Sequence, residues 1–106
     1  MSKLVRDKIP DIIKRDGKQV KTHCANDRNE LIKVIFDKLH EEVDELQEAW
    51  DKTGEIDVEE LIDIEEVLDK LKIESRLNFT EIKAKRDYKA IEKGVFDFDL
   101  ILDEVE

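Results

Sequence analysis

Few residues in this chain bend, cross-link or span anything. Its 106 residues include one cysteine, one proline and three glycines. A lone Cys24 excludes an internal disulfide and any cysteine metal cluster, so a reduced, cytoplasmic setting is expected. No apolar run approaches the roughly 20 residues needed to cross a bilayer. Residues 1–10 lack the apolar stretch of a signal peptide. Positive charge is also scarce, with 29 acidic against 19 basic residues and a formal net charge of −10. That balance argues against general affinity for nucleic acid or for an anionic membrane surface. No repeat and no low-complexity linker divides the chain, so residues 1–106 read as a single domain.

What the chain has in abundance is charge, at 45% of residues, beside 40% apolar ones. A core of this size is marginal alone, and such chains often complete their burial in an oligomer. The charge is segregated. Lys3, Arg6, Lys8, Lys14, Arg15, Lys18 and Lys21 make a basic N-terminal segment, and Lys83, Lys85, Arg86, Lys89 and Lys93 a second one. Residues 41–69 between them are strongly acidic. An acidic centre between basic flanks suits a metal ion bridging to a polyphosphate, although clustered charge on solvated helix faces gives the same pattern.

The coarse reading is mainly α. Residues 7–15 predict a short helix capped by Asp7, with Pro10 in the first turn and Gly17 at the end. Asn26 or Asp27 caps a long helix running to about Trp50, with Glu30 near the capping-box position. Leu31, Ile32, Ile35, Phe36, Leu39, Val43, Leu46 and Trp50 recur at spacings of three and four along it. Thr53 and Gly54 break it. A third helix is expected over residues 57–73, and a fourth from Asn78 or Thr80 to Gly94. Residues 18–25, with Val20 and Thr22, and residues 95–105, with alternating Phe96, Phe98, Leu100 and Leu102, carry strand signals and could pair as a small β-hairpin.

Helical phase singles out four carboxylates. With Leu39 at the centre of the apolar stripe, Glu42 lies about 60° and Glu45 about 120° to one side. Glu41 and Asp44 fall on the far face. With Ile64 as centre of the next helix, Glu60 lies about 40° and Asp63 about 100° to one side. A carboxylate inside an apolar stripe is costly unless paired or bound to a cation. Antiparallel packing of the two helices can gather Glu42, Glu45, Glu60 and Asp63, and four anions in one pocket call for a divalent ion. Oxygen-only ligands favour Mg²⁺ or Mn²⁺ over Zn²⁺. Ile62 lies opposite the main stripe of its helix, which points to a second apolar contact and a dimer. His40 does not complete a zinc-peptidase HExxH motif.

Glu41-Glu42-Val43-Asp44-Glu45, followed after fourteen intervening residues by Glu60-Leu61-Ile62-Asp63, resembles the EExxE…ExxD signature of the MazG-like all-α nucleotide pyrophosphohydrolases. The run Leu4-Val5-Arg6-Asp7-Lys8-Ile9-Pro10-Asp11-Ile12-Ile13 is similar to the LVRDKIPEII opening of the phosphoribosyl-ATP pyrophosphohydrolase-like branch. Lys89-Ala90-Ile91-Glu92-Lys93-Gly94-Val95-Phe96 resembles its KAxxRGGF segment, with Lys93 for an arginine and Val95 for a glycine. Lys93 keeps the charge but loses bidentate phosphate recognition.

The resemblance implies an antiparallel helical bundle that dimerises with its active site near the subunit contact. It implies cleavage of a nucleoside triphosphate between the α- and β-phosphates, giving a monophosphate and pyrophosphate. The family's metal ligands carry over to Glu42, Glu45, Glu60 and Asp63. Glu42 and Glu45 are the candidates for accepting the proton of the attacking water. Arg6, Lys8, Lys89 and Lys93 are candidate phosphate clamps. Two other readings stay open: a related hydrolase acting on phosphoribosyl-ATP or a modified nucleotide, and a non-enzymatic acidic helical adaptor.

Overall fold

The computed structural model describes residues 2–106. Four helices account for the regular structure among the described residues: α1 (Ile9–Arg15), α2 (Arg28–Thr53), α3 (Val58–Glu74) and α4 (Phe79–Lys93). Each of the last three begins at a side chain built for it. The carboxylate of Asp27 accepts the Glu30 amide at 2.8 Å, Asp57 accepts the Glu59 amide at 3.0 Å, and Asn78 accepts the Glu81 amide at 2.8 Å. These bonds satisfy donors that have no partner within the helix. Glu30 returns the favour at α2, where its Oε1 accepts the Asn26 amide and lies 3.0 Å from His23 Nε2. Gly54 ends α2 in the left-handed conformation at φ 71°, which only glycine adopts at no steric cost. At α1 the expected Asp7 cap is absent. Lys8 holds the cap position without a side-chain bond, and Pro10 sits in the first turn.

The core is a hairpin of α2 and α3, the main packing between helices in the chain. Arg28 at the start of α2 donates to the Glu74 carbonyl at the end of α3, which fixes the antiparallel sense. On α2, Arg28, Ile35 and Glu42 are seven residues apart, and Glu60, Val67 and Glu74 repeat the same spacing on α3. Seven residues are close to two turns, so each set shares one face. Ile35 is fully buried, Val67 is 8% exposed and Glu42 only 4%. One of the three most buried side chains is therefore a carboxylate.

Much apolar surface is left over. Phe36, Val43 and Trp50 on α2, read from the sequence as part of the inward stripe, are each near half exposed, as are Leu61 and Leu68 on α3. Phe36, Val43, Leu61 and Leu68 each follow a residue of the buried layer by one, and Trp50 follows the half-buried Ala49, which continues that layer by seven from Glu42. In an antiparallel pair such a step turns both helices towards the same side, so the five residues line one flank of the hairpin. Ile62 is also about half exposed. The α4 helix approaches only α3. The radius of gyration of 18.0 Å exceeds the roughly 13 Å of a compact chain this long.

The expected hairpin of residues 18–25 and 95–105 does not form; the described residues contain no strand. Among the described residues, no backbone–backbone hydrogen bond engages residues 19–25 or 95–106. A turn at Asp97–Phe98 and a left-handed Asp99 (φ 54°) break the alternation that would give the tail two faces. Phe96 is left 99% exposed.

Candidate metal centre

The four carboxylates chosen by helical phase lie where α2 and α3 meet. Oxygens of Glu42, Glu60 and Asp63 come within 4.8 Å of one another, and so do oxygens of Glu41, Glu42 and Glu45. Glu42 belongs to both groups. Glu41, assigned by phase to the far face, is half-buried at the edge of the cluster, where Lys3 and Lys38 each approach it at 3.5 Å. Its long side chain reaches round the helix in a way that a Cα projection does not register.

The cluster carries an internal counter-ion that sequence reasoning missed. Lys38, one turn before Glu42, places Nζ 3.0 Å from Glu42 Oε1. Burial pulls this ammonium towards losing its proton, but its bond to Glu42 and the charges of Glu41 and Glu42 outweigh that, so its pKa is raised. The i,i+4 spacing of Lys38 and Glu42 was the available signal. From outside the hairpin, Arg6 donates through Nη2 to Asp63 Oδ1 at 2.7 Å. Through this bond and the charges of Asp63, Glu66 and Glu42, the guanidinium is held above its ordinary pKa despite some loss of solvent.

These cations do not finish the site. Glu42 Oε2 and Glu60 Oε2 are both buried without a hydrogen-bond partner. Burial, followed by the adjacent carboxylates of Glu42 and Glu45, raises the Glu60 carboxyl to about 7. Three carboxylates gathered within 4.8 Å, two of which keep an occluded oxygen, make an oxygen-only donor set, which fits a hard divalent ion such as Mg²⁺ or Mn²⁺. Acidic side chains without such occlusion are common on protein surfaces; the stranded oxygens set these apart.

The basic residues divide. Arg6 reaches the cluster. Lys8 is exposed at the start of α1. Lys89 and Lys93 line a shallow depression on α4 with Lys85 and Tyr88, and neither pairs with a described carboxylate of the cluster. Comparison with protein-family models, with curated proteins and with solved structures finds no match to this chain.

Proposed function

We propose that this chain is a Mg²⁺-dependent nucleoside triphosphate pyrophosphohydrolase, with Mn²⁺ an alternative ion, that cleaves between the α- and β-phosphates. The observation that carries the reading is the pair of partnerless buried oxygens on Glu42 and Glu60, two carboxylates that gather with Asp63 within 4.8 Å. The three sequence segments that resemble MazG-like enzymes, at residues 4–13, 41–63 and 89–96, support it from a separate direction.

Glu42, Glu45, Glu60 and Asp63 would hold the cation. A divalent ion there would neutralise the triphosphate and the charge developing on the leaving pyrophosphate, and would activate water. The remaining work falls to the chain. Water attacks the α-phosphorus, the bond from that phosphorus to the bridging oxygen breaks, and the proton of the water passes to a carboxylate. Glu45 is the better placed of the two candidate acceptors, because Glu42 is shared by both carboxylate groups and bonded to Lys38. Arg6 lies close enough to the cluster to bind phosphate oxygens with its planar fork. Lys8, Lys89 and Lys93 would join it only if a bound nucleotide or a second subunit brings them near.

A homodimer completes the proposal. The flank formed by Phe36, Val43, Trp50, Leu61 and Leu68 runs beside the carboxylate layer, and burying it against a second copy would give the small core the partner it lacks. No helix among the described residues is long and apolar enough to cross a membrane, and the lone Cys24 is in keeping with a reduced, cytoplasmic setting. The test is pyrophosphate release from a nucleotide panel with and without Mg²⁺. Release that needs Mg²⁺ and stops with EDTA is expected. No release from any nucleotide would leave an acidic helical adaptor as the better description.

A further inference from the structure

Asp63 sits between two claims. One of its oxygens accepts the 2.7 Å bond from Arg6 Nη2, and the same carboxylate closes the group formed with Glu42 and Glu60. A divalent ion drawn to that group and the Arg6 guanidinium are both cations seeking one carboxylate, and they repel each other across a few ångströms. Arg6 is the weaker claimant. Its guanidinium is held by one bond, its side chain is half exposed, and it belongs to a segment without helix or strand at residues 2–6. A half-exposed side chain held by one ion pair can swing away at small cost while its backbone stays in place.

Lys3 of the same segment makes a similar exposed contact. Lys3 approaches Glu41 on α2 at 3.5 Å, while Arg6 holds Asp63 on α3, so the N-terminal arm lies across the hairpin with one cation on each helix. A polyphosphate brought to the cluster would present its oxygens within reach of both side chains. The guanidinium fork suits a phosphate better than it suits one carboxylate oxygen.

Resting on the metal-site reading above, we infer that Arg6 and a divalent cation compete for Asp63, and that the guanidinium displaced from Asp63 is the group that takes hold of a phosphate. Arg6 thus opposes the cation when it binds alone and assists the polyphosphate once the cation is in place. A residue that merely oriented Asp63 for the ion would favour both.

The experiment is Mn²⁺ titration of the full chain by calorimetry and electron paramagnetic resonance, then titration of inorganic tripolyphosphate at saturating Mn²⁺. Arg6→Met is expected to bind Mn²⁺ about two- to fivefold more tightly, as loss of a half-exposed ion pair allows. It should bind tripolyphosphate about tenfold or more weakly, through loss of a charge-assisted fork. Arg6→Lys should keep near wild-type Mn²⁺ affinity and lose part of the tripolyphosphate affinity. Lys85→Met, which removes a charge on α4 that pairs with no carboxylate among the described residues, controls for net charge. Mn²⁺ binding by Arg6→Met that is unchanged, weaker or matched by Lys85→Met overturns the competition and leaves the metal site standing. Unchanged tripolyphosphate binding overturns the transfer. A wild-type chain that takes up no Mn²⁺ sinks the metal site and this inference together.

Discussion

Glu42 on α2 and Glu60 on α3 bring carboxylate oxygens within 4.8 Å of each other across the seam of the hairpin, and each keeps one buried oxygen with no donor. They occupy the same register as Ile35 and Val67, one layer along. A core position has been given to two like charges, which costs stability unless a cation resolves it. The first prediction is about which carboxylates matter. Glu60→Gln should abolish pyrophosphate release. It should also weaken Mn²⁺ binding by more than the roughly 10–100-fold that loss of an outer partner costs. Glu41→Gln, at the edge and already paired with Lys3 and Lys38, should retain most of both. Parallel losses in the two variants, read by calorimetry and by turnover, would contradict the roles given to them.

Protonation supplies the second prediction. The Glu60 carboxyl is raised from 4.5 to about 7 in the folded chain. Folded protein therefore retains a proton in the interval where unfolded protein has released it. The stability this contributes is fully present below about 4.5 and is lost as pH rises through about 7. Thermal melts in EDTA should show Tm falling across that window, and Glu60→Gln should flatten the fall. Mn²⁺ competes with the same proton, so its affinity should rise over the same interval, with proton release measurable by titration in buffers of different ionisation enthalpy. A melting curve equally steep in Glu60→Gln would assign the dependence elsewhere.

Much of this was legible in the sequence where the controlling interaction is local. Asp27, Asp57 and Asn78 cap helices through bonds two or three residues away, and Gly54 stops α2 through its own backbone. The faces of Glu42 and Glu60 follow from phase alone, because the helix imposes it. The misses share a cause. Residues 18–25 and 95–105 have strand-like composition, but a strand needs a neighbour, and none pairs with them among the described residues. The Arg6–Asp63 bond joins residues 57 apart in sequence, and the position of Glu41 depends on a side chain reaching round its helix. The division of the α2 stripe into Ile35 inside and Phe36 outside depends on where α3 lies, which an isolated helix does not record.

The third prediction concerns the stability given up for the site. Replacing a buried ion pair by apolar groups of similar volume is often stabilising by about 1–4 kcal/mol. The double variant Lys38→Met/Glu42→Leu removes the Lys38–Glu42 pair and the partnerless Oε2 together. It should melt higher than wild type in EDTA, yet lose the rise in Tm that Mn²⁺ gives. A lower Tm in EDTA would show that the pair stabilises the hairpin.

A fourth prediction follows from how little is fully buried. Ile35 is the one side chain completely withdrawn from solvent among the described residues. Ile35→Ala leaves a void in the layer beside Glu42 and should cost about 2–5 kcal/mol. That is a large share of the stability of a domain this small. Denaturant titration reads the loss directly. Ile12→Ala, on the exposed side of α1, should cost far less.

The last prediction tests the apolar flank. Phe36, Val43 and Trp50 recur every seven residues on α2, and Leu61 and Leu68 do so on α3, all on one side of the hairpin. If a second copy covers this side, sedimentation equilibrium should give twice the chain mass of 12.5 kDa or a larger multiple. Val43→Glu, at the middle of the flank, should then shift the protein towards monomer by setting a charge against the partner's apolar side chains. Lys33→Glu, on α2 but outside the seven-residue series of the flank and exposed, should leave the association unchanged. Stability should fall along with association in Val43→Glu and become dependent on protein concentration in wild type, because folding and assembly are then linked. A wild-type chain monomeric at every concentration would require its half-exposed aromatic and aliphatic side chains to be covered by a different partner.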